Sequence, residues 1–521
     1  MYIWRYRPPH PFQGAEAEQR SMAPSAALPC DDAGRELPHV AIFPFMARGH
    51  TIPLTHLAHL LLRRRLATVT FFTTPGNAAF VRAALPDGVD VVELPFPDGD
   101  GHSSQGAENV EGVASASSFA AFTETTTALR PRFEEALAAM RPPATLLVAD
   151  AFLYWTGESA GALGVPRLSF LGTSAFAHVM REAFVRDKPG CGPPQCDATG
   201  GATGTYTVPE FPHVQFLLAD IPPLPLPAIV LDAKMAMAVV GSRGVIMNTF
   251  HHLESSYIDH WDQHVGPRAW PIGPLCLARQ PSFTVVDEVH NAKHSWLRWL
   301  DEKAAAGQSV LFVALGTLLA VSDEQLKEVA RGLEDAQVNF LWAVRSDDSA
   351  DLGIGFHERV QGRGVVTEGW VDQPAILQHD CVKGFLSHCG WNSVLESVCA
   401  GVPLAVWPMM FDQPLNAKLV VDELKVGVRV RSTRGLVKGE EVSRAVREIM
   451  LGDTRASAAK NAAVLAGHAQ HAMSAGYLQI YRDYSFMVLS TTRGESRPVY
   501  GGVYTIGGYG EGYFYPAWVT T

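Results

Sequence analysis

The sequence predicts an α/β protein of two Rossmann-like doubly wound domains facing across a cleft, and three observations predict it. The chain has 521 residues, more than one hydrophobic core usually holds, so two domains are the natural division. From His39 onward, short β-branched or apolar runs alternate with helical periods, the rhythm of a parallel sheet covered by helices on both faces. That rhythm runs through twice, in two series separated by a Pro- and Gly-containing stretch at 270–283.

Residues 1–37, rich in Pro, Ala and charge, read as a disordered leader, with Met22 an alternative start. The first domain spans 38–269. HVAIFPF (39–45) reads as a buried strand followed by a helix through TIPLTHLAHLLLRR. TVTFFTT, VDVVELPF, TLLVAD and RLSFLG read as further strands, separated by helices such as NAAFVRAAL and FEEALAAM. Residues 186–243 break the rhythm with Pro, Gly and Asp clusters and read as loops around the cleft. GVIMNTF resumes the sheet, 270–283 is the linker, and the second domain spans 284–476. Its strands are SVLFVAL, NFLWAVR, GVVTEGW, VKGFLSH, PLAVWPM and VGVRV, with SDEQLKEVARGLEDA as a helix. The tail, 477–521, holds eight of the thirteen tyrosines and ends in GGVYTIGGYGEGYFYPAWVTT without a helical or strand period, so it reads as atypical and poorly packed.

A net charge of -11 argues against gripping nucleic acid or an anionic membrane, since both need clustered positive surface. A phosphate-bearing ligand would then rely on backbone amides and helix dipoles. The seven cysteines are scattered, with no CxxC spacing, and read as free thiols in a reducing compartment. The beginning MYIWRYRPPHPF lacks the apolar run of a secretory signal, and no apolar stretch is long enough to span a bilayer. The expectation is a cytoplasmic protein without membrane insertion, monomeric by default.

The most informative stretch is WVDQPAILQHDCVKGFLSHCGWNSVLESVCAGVPLAVWPMMFDQ, residues 370–413. Strand VKGFLSH ends at His388, and a tight Cys-Gly turn leads into helix WNSVLESVCAG. The free amides near Trp391, Asn392 and Ser393 make a ready anion site. Glu396 lies about one turn further along, where a carboxylate can accept two hydrogen bonds from a ribose diol. Asp412 and Gln413 follow the next strand, an acceptor beside an amide, as sugar hydroxyls require. Any one of these residues alone is more ordinarily a cap or a packed side chain; the set at this spacing favours function.

This stretch resembles the signature box of plant secondary-product UDP-glycosyltransferases, an inverting family of two-Rossmann (GT-B) architecture, and the resemblance runs from about His39 to Gly476. It implies that Trp370 stacks on uracil, with Val371 and Gln373 beside it. His388, Asn392 and Ser393 would hold the pyrophosphate, helped by Thr317. Glu396 would bind ribose. Trp391, Asp412 and Gln413 would bind the sugar, and a terminal Gln usually goes with glucose. Thr173, in FLGTSAF, matches a position that touches the donor sugar. Two departures stand out: Val371-Asp372-Gln373 replaces the usual Ala-Pro-Gln, and ALGT precedes the phosphates where SFGT or SFGS is usual.

Transfer to a hydroxyl needs a base. His50, in FMARGHTIPL after the first strand, is placed to face the cleft as a neutral imidazole. Asp150 ends strand TLLVAD, where its carboxylate can accept the other imidazole N–H and fix the tautomer. Both match the family's catalytic pair. The expectation is therefore transfer of glucose from UDP-glucose to a hydroxyl of a small hydrophobic acceptor, such as a flavonoid or other phenolic. The transfer would go with inversion, without a cofactor and without a metal. Asp98-Gly99-Asp100 reads as a turn in preference to a metal-binding DxD, and GxGxxG, Walker and GxSxG motifs are missing. The alternative is a non-catalytic UDP-sugar or small-molecule binding protein of the same fold, impaired by the altered tail.

Overall fold

The computed structural model describes residues 37–97, 108–111, 115–189, 204–221, 226–278, 287–316, 321–345, 352–431 and 435–475. In chain order the first half contributes strands β1 (His39–Phe43), β2 (Thr68–Thr73), β3 (Asp90–Glu93), β4 (Leu146–Asp150) and β5 (Arg167–Leu171). It continues with β6 (Thr205–Val208), β7 (Phe211–Leu217), β8 (Gly244–Met247) and β9 (Ala269–Pro271). The second half contributes β10 (Val310–Ala314), β11 (Asn339–Val344), β12 (Gly364–Glu368), β13 (Val382–Ser387), β14 (Leu404–Val406) and β15 (Gly427–Arg429).

Two parallel sheets result, with orders β3-β2-β1-β4-β5-β8-β9 and β12-β11-β10-β13-β14-β15. Every residue of β1, β4, β5 and β8 is buried, as expected of strands covered on both faces by helices. In each sheet the order reverses beside a central strand, at β1/β4 and at β10/β13. Ligands of such sheets sit beyond the carboxyl ends of the strands at that reversal. Residues following β1, β4, β10 and β13 are therefore the first place to look for chemistry.

The second domain follows the expected pattern strand for strand, while the first departs from it in two places. Residues 186–243 are not loops throughout: β6 and β7 pair as an antiparallel hairpin, and a helix runs over Leu226–Val240. The hairpin buries Val208, Phe211, Val214 and Phe216; a register shift at Val208 breaks the alternation in FPHVQFL, and the surrounding prolines and glycines obscure what remains. The segment expected as linker also begins inside the sheet, because β9 takes up Trp270 and Pro271; residues 279–283 lie outside the described residues, as does the tail from 477.

The final helix, Thr454–Ala475, returns to the first domain. The His468 ring lies 4.9 Å from that of His252 on the helix His251–His260, and Met473 packs against the first domain's core. The two domains are thus joined at both ends of the second. Among the described residues no helix is long and apolar enough to cross a membrane.

Trp270 lies over Gly244, where an added Cβ would overlap the indole and stand 2.7 Å from the Arg268 carbonyl oxygen. Gly244→Ala should therefore cost about 1–3 kcal/mol, the usual penalty for overpacking, read as a lower midpoint in urea unfolding. Unchanged stability would contradict this packing.

Candidate active site

The carboxyl ends of the two sheets face each other, and the residues at those ends meet. His50 sits in the first turn of the helix Arg48–Arg63, immediately after β1, and Asp150 closes β4. Their separation is 2.6 Å, from His50 Nδ1 to Asp150 Oδ2. An ionised carboxylate can only accept, so Nδ1 carries the proton and Nε2 is left with its lone pair. The other carboxylate oxygen accepts from the Phe152 amide at 3.0 Å, which fixes Asp150 in a wholly buried position. Burial disfavours the imidazolium, but the charge and hydrogen bond of Asp150, with Asp412 adding, outweigh it and raise the His50 pKa above its ordinary 6.5.

Aromatic rings surround the imidazole. Phe45 and Phe152 meet it edge-on at 5.8 and 5.3 Å. Phe119 joins both at 5.3 and 5.0 Å, Phe122 adds to Phe45, and Phe411 reaches across from the second domain to 4.9 Å from Phe119. Gly172 was not singled out in the sequence. A Cβ there would stand 2.9 Å from His50 Cε1, so the imidazole occupies space that only glycine leaves.

On the facing side, β13 delivers His388 and the helix Trp391–Ala400 starts beyond the left-handed turn at Cys389 (φ 65°). His388 is wedged between two glycines: added Cβ atoms at Gly316 and Gly390 would stand 2.7 and 2.5 Å from its Nε2. Its Nδ1 is buried without a hydrogen-bond partner among the described residues. Burial pushes its pKa down to about 4, against the pull of Asp412 and of a backbone hydrogen bond to Ala314. The imidazole is therefore neutral at physiological pH, an N–H donor beside the helix N-terminus and not a cation.

The remaining expected residues fall into place as follows. Gln373 donates to Ser393 Oγ at 3.0 Å and to Glu396 Oε2 at 2.7 Å, tying the three together along one edge of that helix. Val371 is half-buried against the core. Asp372 caps the helix Gln373–Leu377 by accepting from the Ala375 amide at 3.3 Å, which gives the Val-Asp-Gln variant a structural reason. Gln413 is buried and accepts the Met409 and Met410 amides on Oε1, so its Nε2 is the group left to donate. Trp370 is half exposed. Thr317 and Asp98-Gly99-Asp100 lie outside the described residues.

Several of these residues join the domains. Thr173 Oγ1 donates to Asp412 Oδ2, and Ser174 Oγ donates to Asn416 Oδ1 at 2.8 Å. Asn416, fully buried, donates in turn to Asp412 Oδ2 at 2.7 Å and to the Cys389 carbonyl at 3.0 Å. Asn392 donates to the Gly49 carbonyl at 2.7 Å. The Trp391 indole is buried and its Nε1 donates to the Asn248 carbonyl at 2.7 Å, so its side chain ties the domains, and the group it offers a ligand is the backbone amide at the helix start. Asn248, Ser174 and Asn416 were not singled out in the sequence, although Ser174 follows Thr173 directly and Asn416 lies three residues beyond Gln413.

Comparison with known proteins agrees with this geometry. Residues 270–466 match the family model described as UDP-glucoronosyl and UDP-glucosyl transferase. UDP-glycosyltransferase 90A1 of Arabidopsis thaliana is 41% identical over 441 residues, covering 81% of this chain and 90% of that protein. UDP-glucose flavonoid 3-O-glucosyltransferase 7 of Fragaria ananassa is 32% identical, covering 88% and 96%. Among solved structures, Glycyrrhiza uralensis UGT73P12 in complex with glycyrrhetinic acid 3-O-monoglucuronide superimposes with a TM-score of 0.77 at 27% identity, over 88% of this chain and 98% of that one. Phytolacca americana UGT2 with UDP-2fluoro-glucose and pterostilbene gives 0.70 at 26% identity, over 86% and 100%.

An NMR titration of the two imidazoles separates their environments: His50 should titrate above 6.5 and His388 near 4. Asp150→Asn removes the charge that favours the His50 imidazolium and should lower only the first value. Two ordinary titrations near 6.5 would contradict the geometry. Two parallel sheets of this order, a signature segment at their junction and relatives along most of its length place the chain in the plant UDP-glycosyltransferase family, as a glycosyltransferase of GT-B fold that binds a UDP-sugar and a small-molecule acceptor.

Proposed function

We propose that the protein transfers glucose from UDP-glucose to a hydroxyl of a flat, hydrophobic acceptor such as a flavonoid or other phenolic, with His50 as general base and with inversion. The observation that carries this reading is the His50–Asp150 hydrogen bond set at the junction of the two domains, with the Nε2 lone pair left to take a proton. The acceptor would lie among Phe45, Phe119, Phe122, Phe152 and Phe411, whose rings favour a planar aromatic ligand. The donor would lie along the helix Trp391–Ala400, with Trp370 and Gln373 at the base, Glu396 at the ribose, and the first amides of the helix with His388 at the diphosphate. Asp412 and the Gln413 amide would hold the sugar, and Thr173 would bear on it through its contact with Asp412.

In this arrangement the acceptor hydroxyl gives its proton to His50 as its oxygen attacks the anomeric carbon, and the bond to the UDP oxygen breaks in the same displacement. Asp150 stabilises the imidazolium that forms. The departing charge is met by helix amides and a neutral imidazole donor, groups fixed before the reaction begins. Both Asp150 oxygens already accept hydrogen bonds from His50 and Phe152, which suits an orienting carboxylate better than a nucleophile. The non-catalytic alternative is disfavoured by the same pair, because a binding protein has no use for a carboxylate-oriented base at the domain junction.

Incubation with UDP-glucose and a panel of flavonols, simple phenols and terpenols, followed by mass, should show the gain of one hexose. His50→Ala should reduce turnover by about 10²–10⁴-fold, the usual contribution of a general base. No product with any acceptor while UDP still binds would move the assignment to the non-catalytic reading. The pH profile offers a second check: His50 must be neutral to act, so kcat/KM should fall on the acid side through a pKa above 6.5. Asp150→Asn should lower the plateau and carry that limb to lower pH. An acid limb that does not move would exclude the pair as its origin.

A further inference from the structure

Arg48 is the residue before Gly49-His50, and neither the sequence motif nor the reaction accounts for it. Its guanidinium lies 4.8 Å from the centre of the Phe80 ring and 4.9 Å from the centre of the Trp370 ring. The two rings meet edge-on at 6.2 Å. Its Nε is ion-paired with Glu111. Arg48, Phe80 and Glu111 belong to the first domain, whereas Trp370 opens the signature segment of the second. The contact therefore spans the cleft at its mouth.

Three partners hold this guanidinium: two adjoining rings and a carboxylate on its Nε. Trp370 nevertheless keeps half of its surface exposed, so ring surface remains for a ligand. A cation over one face of an indole is itself stabilising, and it fixes the ring's tilt for whatever stacks on the other.

We propose that Arg48 is a donor-binding residue contributed by the first domain: it clamps Trp370 from one side so that the nucleobase of the UDP-sugar stacks on the other. This rests on Trp370 being the base platform in the proposed function. The stack would then run guanidinium, indole, base. The clamp makes donor affinity depend on domain closure, because the cation and the indole come from different domains.

UDP affinity, measured by calorimetry on the full chain, tests this in Arg48→Met, Arg48→Lys and Trp370→Ala. Arg48→Met keeps the apolar stem and removes the charge; it should weaken UDP binding about 3–30-fold, the range of a partly desolvated cation–π contact. Arg48→Lys should retain an intermediate affinity. In steady state the Met variant should raise KM for UDP-glucose and leave KM for the acceptor unchanged, a split that general loss of structure would not produce. UDP binding as tight as, or tighter than, wild type in Arg48→Met, with Trp370→Ala weakened, overturns the clamp: the guanidinium would then be a bystander or a competitor for the ring. If Trp370→Ala also binds UDP normally, the base platform itself is wrong, and the donor-site reading fails with it.

Discussion

The whole arrangement depends on the carboxyl ends of two parallel sheets being held face to face by polar contacts at the start of one helix. Trp391 Nε1 to the Asn248 carbonyl and Asn392 Nδ2 to the Gly49 carbonyl, both 2.7 Å, pin the helix Trp391–Ala400 against the ends of β8 and β1. Thr173 to Asp412 and Ser174 to Asn416 do the same one strand over, after β5. Each bond links a segment just beyond the strands of one domain to a helix, or its cap, in the other. These contacts bring the His50 pair of one domain into register with the donor segment of the other, and neither domain contains the full set alone.

That closure also decides what two histidines can do. His50 has a carboxylate on its Nδ1 and a second carboxylate, Asp412, contributed by the facing domain, and these raise its pKa despite burial. His388 is packed between glycines with Nδ1 unpartnered among the described residues, and burial holds it neutral. One imidazole is prepared to accept a proton and the other to donate a hydrogen bond without carrying charge. The assignment comes from surroundings and not from residue type.

Much of this was legible from sequence because it rests on patterns the chain displays locally. Alternating apolar runs mark every strand of the second sheet, and the spacing from Trp370 to Gln413 marks the segment that the fold sets at the domain junction. What escaped notice depends on contacts between distant positions. Gly172 and Gly316 look like ordinary loop glycines until a ring 2.7–2.9 Å from their missing Cβ atoms shows why no side chain fits. Asn248 and Asn416 are simple polar residues in sequence, and only the folded chain reveals them as bridges between domains. The direction of the Trp391 indole, toward the Asn248 carbonyl, is likewise set by packing between domains and is invisible in the segment itself. The hairpin of β6 and β7 was hidden by neighbouring Pro and Gly, which outweigh a three-residue apolar alternation in a local reading.

The central claim is that a base on the first domain and a UDP-sugar on the second act from opposite sides of one anomeric carbon. The configuration of the product tests it most directly. NMR of the purified glucoside formed from UDP-α-glucose should show a β-linked sugar, the outcome of a single in-line displacement. An α-linked product, or a mixture, would contradict the account, because it would require a second displacement or a free intermediate that this geometry does not provide.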